Sequence, residues 1–153
     1  MKNKIFIILL ISISLLSCKK ETEAEPIVVV NGSAIIMGQV RADLDLTQVG
    51  LEYAPEGTVI LAKICLDDLT VTNPNDSISS GSIVYKTTVD TNGRYFLKVD
   101  ANAYNVDVSV LGEDFEYNQR VNDSVIIRQI YTVATNHCVV IDGMTKIMDL
   151  HYN

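Results

Sequence analysis

The central third of the chain alternates apolar and polar positions with a period of two. Ser82 to Leu111 reads SIVYKTTVDTNGRYFLKVDANAYNVDVSVL. Ile83, Tyr85, Thr87 and Val89 share one face, then Tyr95, Leu97 and Val99, then Tyr104, Val106, Val108 and Val110. Successive strand side chains point to opposite sides, so each run predicts a strand with one buried face. Turns at Asp90 to Gly93 and at Asp100 to Ala103 predict a three-strand β-meander that needs a second layer to cover it. Ser33 to Arg41 predicts a strand with Ile36, Gly38 and Val40 on one face, after a turn signal at Asn31-Gly32. Thr58 to Leu66 is apolar on both faces apart from Lys63, which suits a central position. Between these two, Ala42 to Gly57 is polar and acidic, with a short strand predicted at Val49 to Tyr53. Gln119 to Thr135 alternates imperfectly, with Val125, Ile127, Tyr131 and Val133 predicted inward. Asn136 to Asp142 and Thr145 to Tyr152 close the sheet, broken at Gly143. Beyond the first residues no stretch keeps a helical period over three turns. An all-β fold follows, an antiparallel β-sandwich of about seven strands.

The beginning of the chain reads differently. Met1 to Ser17 carries Lys2 and Lys4 and then an apolar run from Ile5 to Leu16. About 12 apolar residues fall short of the roughly 20 that span a bilayer, so 1–17 reads as a secretory signal. Leu15-Leu16-Ser17-Cys18 resembles the bacterial lipoprotein box, and the resemblance implies that Cys18 is lipidated and becomes the N-terminus. The other reading is an ordinary cleaved signal followed by a chance cysteine. Residues 18–32 then form a charged tether ending its acidic run at Pro26, with a short apolar run at Ile27 to Val30 that pairs at an edge or lies loose. A lysine followed by acidic residues after the lipidated cysteine resembles the export signal of surface lipoproteins in the Bacteroidota. That resemblance implies an outer-membrane protein on the cell surface, held to the membrane through Cys18. A spacer facing the periplasm is the alternative. Residues 33–153 remain as one domain.

Composition then narrows the partners. The formal charge is −7, and without Lys2 and Lys4 there are 10 basic against 19 acidic side chains. That balance argues against nucleic acid, whose phosphates call for clustered Lys and Arg. It argues equally against a basic patch on anionic lipid. A protein or a glycan is the expected partner.

Three pieces carry a further resemblance. They are Gly38-Gln39-Val40, the run Thr87 to Leu97 (TTVDTNGRYFL) followed by Tyr104-Asn105-Val106, and the ending Gly143 to Leu150 (GMTKIMDL). Together they resemble the transthyretin-like, carboxypeptidase-regulatory-like β-sandwich over most of Ser33 to Asn153. The likeness implies a fold and is silent on function, because Asn92-Gly93 serves a turn and not a reaction.

Little in the chain points to chemistry. Asp90-Thr91-Asn92-Gly93 shares the start of a calcium loop but lacks its oxygen-rich continuation, so a turn is the better reading. Cys65 and Cys138 form a candidate disulfide in an exported protein, or else two small buried hydrophobes on different strands. His137 and His151 are the only histidines, and neither has a second ligand at metal spacing. Nucleophile elbows and phosphate loops are absent, so neither an enzyme nor a cofactor is expected. The candidate binding loops are the long polar segment Asp67 to Gly81, with Asp67, Asp68, Asn73, Asn75 and Asp76, and the acidic turn Gly112 to Asn118, with Phe115 and Tyr117 as its aromatics.

Overall fold

The computed structural model describes residues 32–70 and 81–153. Strand β1 (Gly32–Ala42) is the spine of the first sheet. Its first eight residues pair antiparallel with β5 (Arg94–Ala101), and its last two pair with β2 (Glu52–Tyr53). On its other side lie two short strands, β10 (Thr145–Ile147) and β11 (Leu150–Tyr152), both parallel to it. The second sheet has the order β4-β3-β6-β9 and is antiparallel throughout, with β3 (Val59–Cys65), β4 (Ser82–Thr88), β6 (Val106–Gly112) and β9 (Asn136–Val140). β3 takes the interior position that its two apolar faces predict. The remaining pair, β7 (Phe115–Asn122) and β8 (Val125–Tyr131), forms a separate two-stranded ribbon.

Burial follows the alternation within the two sheets. Ile36 and Val40 of β1 and Tyr95, Leu97 and Val99 of β5 meet Ile60, Ala62 and Ile64 of β3, Val106, Val108 and Val110 of β6, and Val140 of β9 in one apolar cluster. The chain is therefore an all-β sandwich. Burying side chains of that size contributes about 1.5–3 kcal/mol each, which is the main force joining the layers.

The meander is corrected. β4 and β5 do not pair, and neither do β5 and β6; β4 and β6 flank β3, while β5 lies in the other sheet. Alternation requires that each strand bury one face, but it does not require consecutive strands to share a sheet. Here they face one another across the core. The Asp90–Gly93 turn is thus a corner between layers: Gly57 N–H bonds Val89 O on one side, and Val40 N–H bonds Gly93 O on the other. Gly93 has φ +70°, and a Cβ there would lie 2.6 Å from the Tyr53 ring, so the position needs glycine on both counts. Tyr104 precedes β6 in the returning turn and is 67% exposed, not inward. Gly32, read as a turn, is the first residue of β1 and pairs with Ala101.

The parallel pairing of the last strands is the other departure. Between β10 and β11 the chain turns at Met148-Asp149 and is held against β1. Met148 N–H donates to Met37 O at 2.9 Å, and Gln39 N–H donates to Asp149 Oδ1 at 2.8 Å. The buried Tyr95 hydroxyl donates to Met148 O at 2.7 Å from the other strand neighbouring β1.

Candidate functional site

The body of the sandwich has two ends, and the candidate residues divide between them. At the end where Gly32 starts β1, Cys65 leads into a single helical turn, α1 (Leu66–Leu69). Asp67 and Asp68 lie on this turn and not in an open loop. Leu69 anchors it in the core, and Asn102 ties it to the β5–β6 connection. The Asn102 side chain is buried, donating to Asp68 O at 3.0 Å and accepting from Tyr104 N–H at 2.8 Å. Partial burial, then the neighbouring Asp107 and Asp67, raises the Asp68 carboxyl above the ordinary carboxylate range. Asn73, Asn75 and Asp76 lie outside the described residues, as do Cys18 and the run Ile27 to Val30.

Phe115 and Tyr117 sit at the opposite end. β3 separates the two groups by about 20 Å at 3.3 Å per residue, so they do not form one site. The acidic turn is confined to Glu113 and Asp114, because Phe115 already begins β7. Phe115 is half-buried and corrects the expectation of an exposed aromatic. Its ring stacks on Tyr131 with centroids 5.1 Å apart and meets Tyr152 at 4.9 Å. This aromatic cluster roots the ribbon in the body. Tyr131 donates to Asp43 O at 2.6 Å, Tyr152 to Glu113 O at 2.9 Å, and Gln119 Nε2 to Asp43 O at 2.8 Å. Burial pushes the Tyr152 phenol up to about 12, with Asp114 and Glu113 adding to the shift.

Above its root the ribbon is uncovered. Tyr117 is 41% exposed, Ile126 66%, Ile127 43% and Ile130 55%. Val125 is exposed as well, so of the four residues expected inward only Tyr131 is buried, with Val133 packed half-buried against the core. Beside Tyr117 an open groove of about 470 Å³ is lined by Glu116, Asn118 and Arg128. Arg128 pairs with Glu116 across the ribbon. Around the ribbon's foot, a second shallow depression of about 280 Å³ collects Glu56, Glu113, Asp114 and Glu116.

The disulfide is corrected too. Both cysteines are free, Cys65 exposed and Cys138 buried. Ile64 lies opposite Val108, and Val108 opposite Cys138. Cys65 therefore stands two strands from Cys138 and points to the other face. Two strand spacings are about 9.5 Å, beyond the roughly 7 Å that a disulfide spans between Cα atoms. Burial also raises the Cys138 thiol above its ordinary range.

The turn reading of Asp90 is direct in its geometry. Its Oδ1 accepts the amides of Asn92 and Arg94, both at 2.8 Å. These bonds, that to Arg94 first, hold the carboxyl below the ordinary range. His137 lies 3.2 Å from Ser109 Oγ on the outer face of β9, and His151 is exposed on β11. Among the described residues no three His, Cys, Asp or Glu side chains gather as metal ligands, and no helix is long and apolar enough to cross a membrane.

Two elements of this surface escaped the sequence reading. Asn102 looked like a turn residue and is a buried staple. The ribbon looked like part of the sandwich and stands apart from it. Its one sequence signal was the broken alternation Val125-Ile126-Ile127.

No family model and no curated protein matches the chain. Among solved structures it is similar to that of the major plantain pollen allergen Pla l 1, at 14% identity and a TM-score of 0.39, over 80% of this chain and 95% of that one.

Proposed function

We propose that this chain is an outer-membrane lipoprotein, anchored through acyl groups on Cys18, whose transthyretin-like sandwich stands on the cell surface as a non-enzymatic structural or binding module. The observation that carries this reading is the placement of the β7–β8 ribbon. The described domain begins at Gly32, and β1 runs from there to Ala42, beside the residues that hold the ribbon's root. Eleven residues of strand span about 35 Å. A tether from Cys18 would reach one end of the body and present the ribbon at the other. The ribbon's exposed aliphatic side chains and Tyr117 suit contact with a protein or an extracellular glycan. They offer no convergent set of acid, base and nucleophile.

A second reading has its own support. Among the described residues the outer edge of β8 has no backbone partner along most of its length, and such an edge accepts a strand from another polypeptide. That would suit an accessory subunit of an outer-membrane complex facing the periplasm. Protease shaving of intact cells, with mass spectrometry of the released peptides, separates the two. Release of peptides from residues 32–153 is the outcome expected of the surface protein. Protection until lysis would overturn it and favour the periplasmic subunit.

A further inference from the structure

β8 has the make-up of an interior strand and stands at an edge. Its sequence VIIRQIY puts Ile126 and Ile130 on one face and Val125, Ile127 and Tyr131 on the other. A strand apolar on both faces is one that packing normally covers on both, yet among the described residues β8 pairs with β7 alone and stays exposed from Val125 to Ile130. The direction of its free hydrogen-bonding groups follows from β7. Arg120 N–H donates to Leu44 O and Arg120 O accepts from Leu46 N–H, so these groups point away from β8. Arg120 lies opposite Ile126, which therefore points its own N–H and C=O away from β7. Alternation extends this to Arg128 and Ile130, and Thr132 continues it by exchanging two hydrogen bonds with Asn153. The outer edge thus holds a partner at Thr132. Among the described residues, Ile126, Arg128 and Ile130 have no backbone partner on that side. Natural edges are blunted by Lys, Pro or bulges. β8 has no Lys, Pro or bulge; its one charge, Arg128, is already paired to Glu116 of β7, and the ribbon's irregularity lies on β7 at Arg120/Asn122.

We propose that the open edge is filled by a second copy of this chain, β8 pairing antiparallel with β8 across a two-fold axis at Arg128. Two ribbons would join into one four-stranded sheet. In this register each outward-facing residue meets another: Arg128 its equivalent, Ile126 the copy's Ile130, and Ile130 the copy's Ile126, for about six main-chain hydrogen bonds. Shifting toward the hairpin tip sets Ile130 against the turn at Asp123-Ser124. Shifting the other way sets Ile126 against Thr132, already occupied by Asn153. The register also places isoleucine beside isoleucine on the face where both are exposed. The two Arg128 side chains come together already paired to Glu116 of their own β7, which removes the penalty of opposed like charges. One seven-residue strand per copy buries less than the roughly 800 Å² a side of a standard stable complex. The dimer is therefore reversible and forms where the chain is concentrated. The proposal rests on the ribbon as a contact surface and not on the side of the membrane it faces.

Disulfide trapping tests it in cells carrying the full-length chain with the exposed Cys65 replaced by serine. Hydrogen-bonded antiparallel pairs hold Cα atoms about 5.5 Å apart, within disulfide reach. Under mild oxidation Arg128→Cys should yield a disulfide-linked homodimer at least about tenfold above Val139→Cys, an exposed position on β9 that reports crowding alone. Adding Ile126→Asp and Ile130→Asp should abolish the excess while the domain keeps its protease resistance. A yield equal to the Val139→Cys control, or an excess indifferent to the aspartates, would overturn the pairing. An adduct of any mass other than twice the chain would also overturn it, while leaving the ribbon a contact surface for a different protein.

Discussion

Strands β5 and β8 are of similar length and β-forming composition, yet the fold treats them in opposite ways. β5 alternates buried Tyr95, Leu97, Val99 and Ala101 with exposed Arg94, Phe96 and Lys98. One face meets the opposite sheet, and the other stays mostly polar in water. β8 places aliphatic side chains on both faces, and among the described residues only Tyr131 of the strand is covered. The difference is one of supply. The body provides a second layer for β5, whereas the ribbon has only its aromatic root and the Leu44–Leu46 segment along β7. In β5, strict alternation matches one covering layer within the domain. In β3, apolar residues on both faces go with an interior place in the sheet, whereas β8 shows the same two-sided pattern at an edge and leaves it exposed.

If that contrast holds, truncation should divide the two regions most sharply. Ile60 is wholly buried between the sheets, and Ile60→Ala should lower stability by about 2–5 kcal/mol. Ile126→Ala removes the same atoms from an exposed site and should stay within about 0.5 kcal/mol. Urea unfolding with an unchanged m-value checks both, and a comparable loss at Ile126 would mean that the ribbon belongs to the core. Gly38→Ala comes next. A Cβ there would lie 1.9 Å from Met148 O, a main-chain atom that cannot swing aside. The substitution should cost about 1–3 kcal/mol by forcing the corner off β1. An unchanged urea midpoint would show that this corner yields freely.

How far the sequence could be read divides along the same line. Period-two alternation located β1, β4, β5 and β6, a two-sided apolar run located β3, and together they placed Ile36, Val40, Leu97 and Val108 in the core. It could not say which strands pair, because a strand with one apolar face is satisfied equally by a hairpin partner or by a neighbour across the sandwich. The meander failed for that reason. The aromatic Phe115 was misplaced because the acidic residues Glu113 and Asp114 mark a turn, but the ring two positions on needs the distant Tyr131 and Tyr152 to explain its burial. Cys65 and Cys138 could be counted but not oriented, since facing and separation depend on the strand order β3-β6-β9. Of the binding-loop residues, Tyr117 is exposed on the ribbon, whereas Asp67 and Asp68 belong to a turn held by a buried asparagine.

The root of the ribbon gives a smaller and more local test. Tyr131→Phe keeps the ring stacked on Phe115 and removes the hydroxyl that bonds Asp43 O. Asp43 O keeps Gln119 Nε2 as a donor, so the change removes one hydrogen bond and should cost about 1 kcal/mol or less. The loss should be regional, so hydrogen exchange should quicken across Phe115 to Tyr131 and remain unchanged in β3 and β6. Uniform acceleration would show that ribbon and body unfold as one unit.

The smallest effect concerns the corner at Asp90, where body strands cross between sheets. Its carboxylate accepts two main-chain amides, and those bonds hold its folded pKa below the ordinary carboxylate value. A carboxyl depressed by folding contributes stability that is fully present above its unfolded pKa. The contribution is lost as pH falls through the folded value, so the window opens below about pH 4. Asp90→Asn keeps an oxygen acceptor and removes the titration. At neutral pH the variant should be slightly less stable than the native chain, since a neutral oxygen accepts more weakly than a charged one. Below about pH 4 the two urea midpoints should converge, because the native carboxyl becomes neutral as well. Curves that stay parallel from pH 6 to pH 3 would show that the corner is held by Gly93 and its main-chain bonds, without help from the charge.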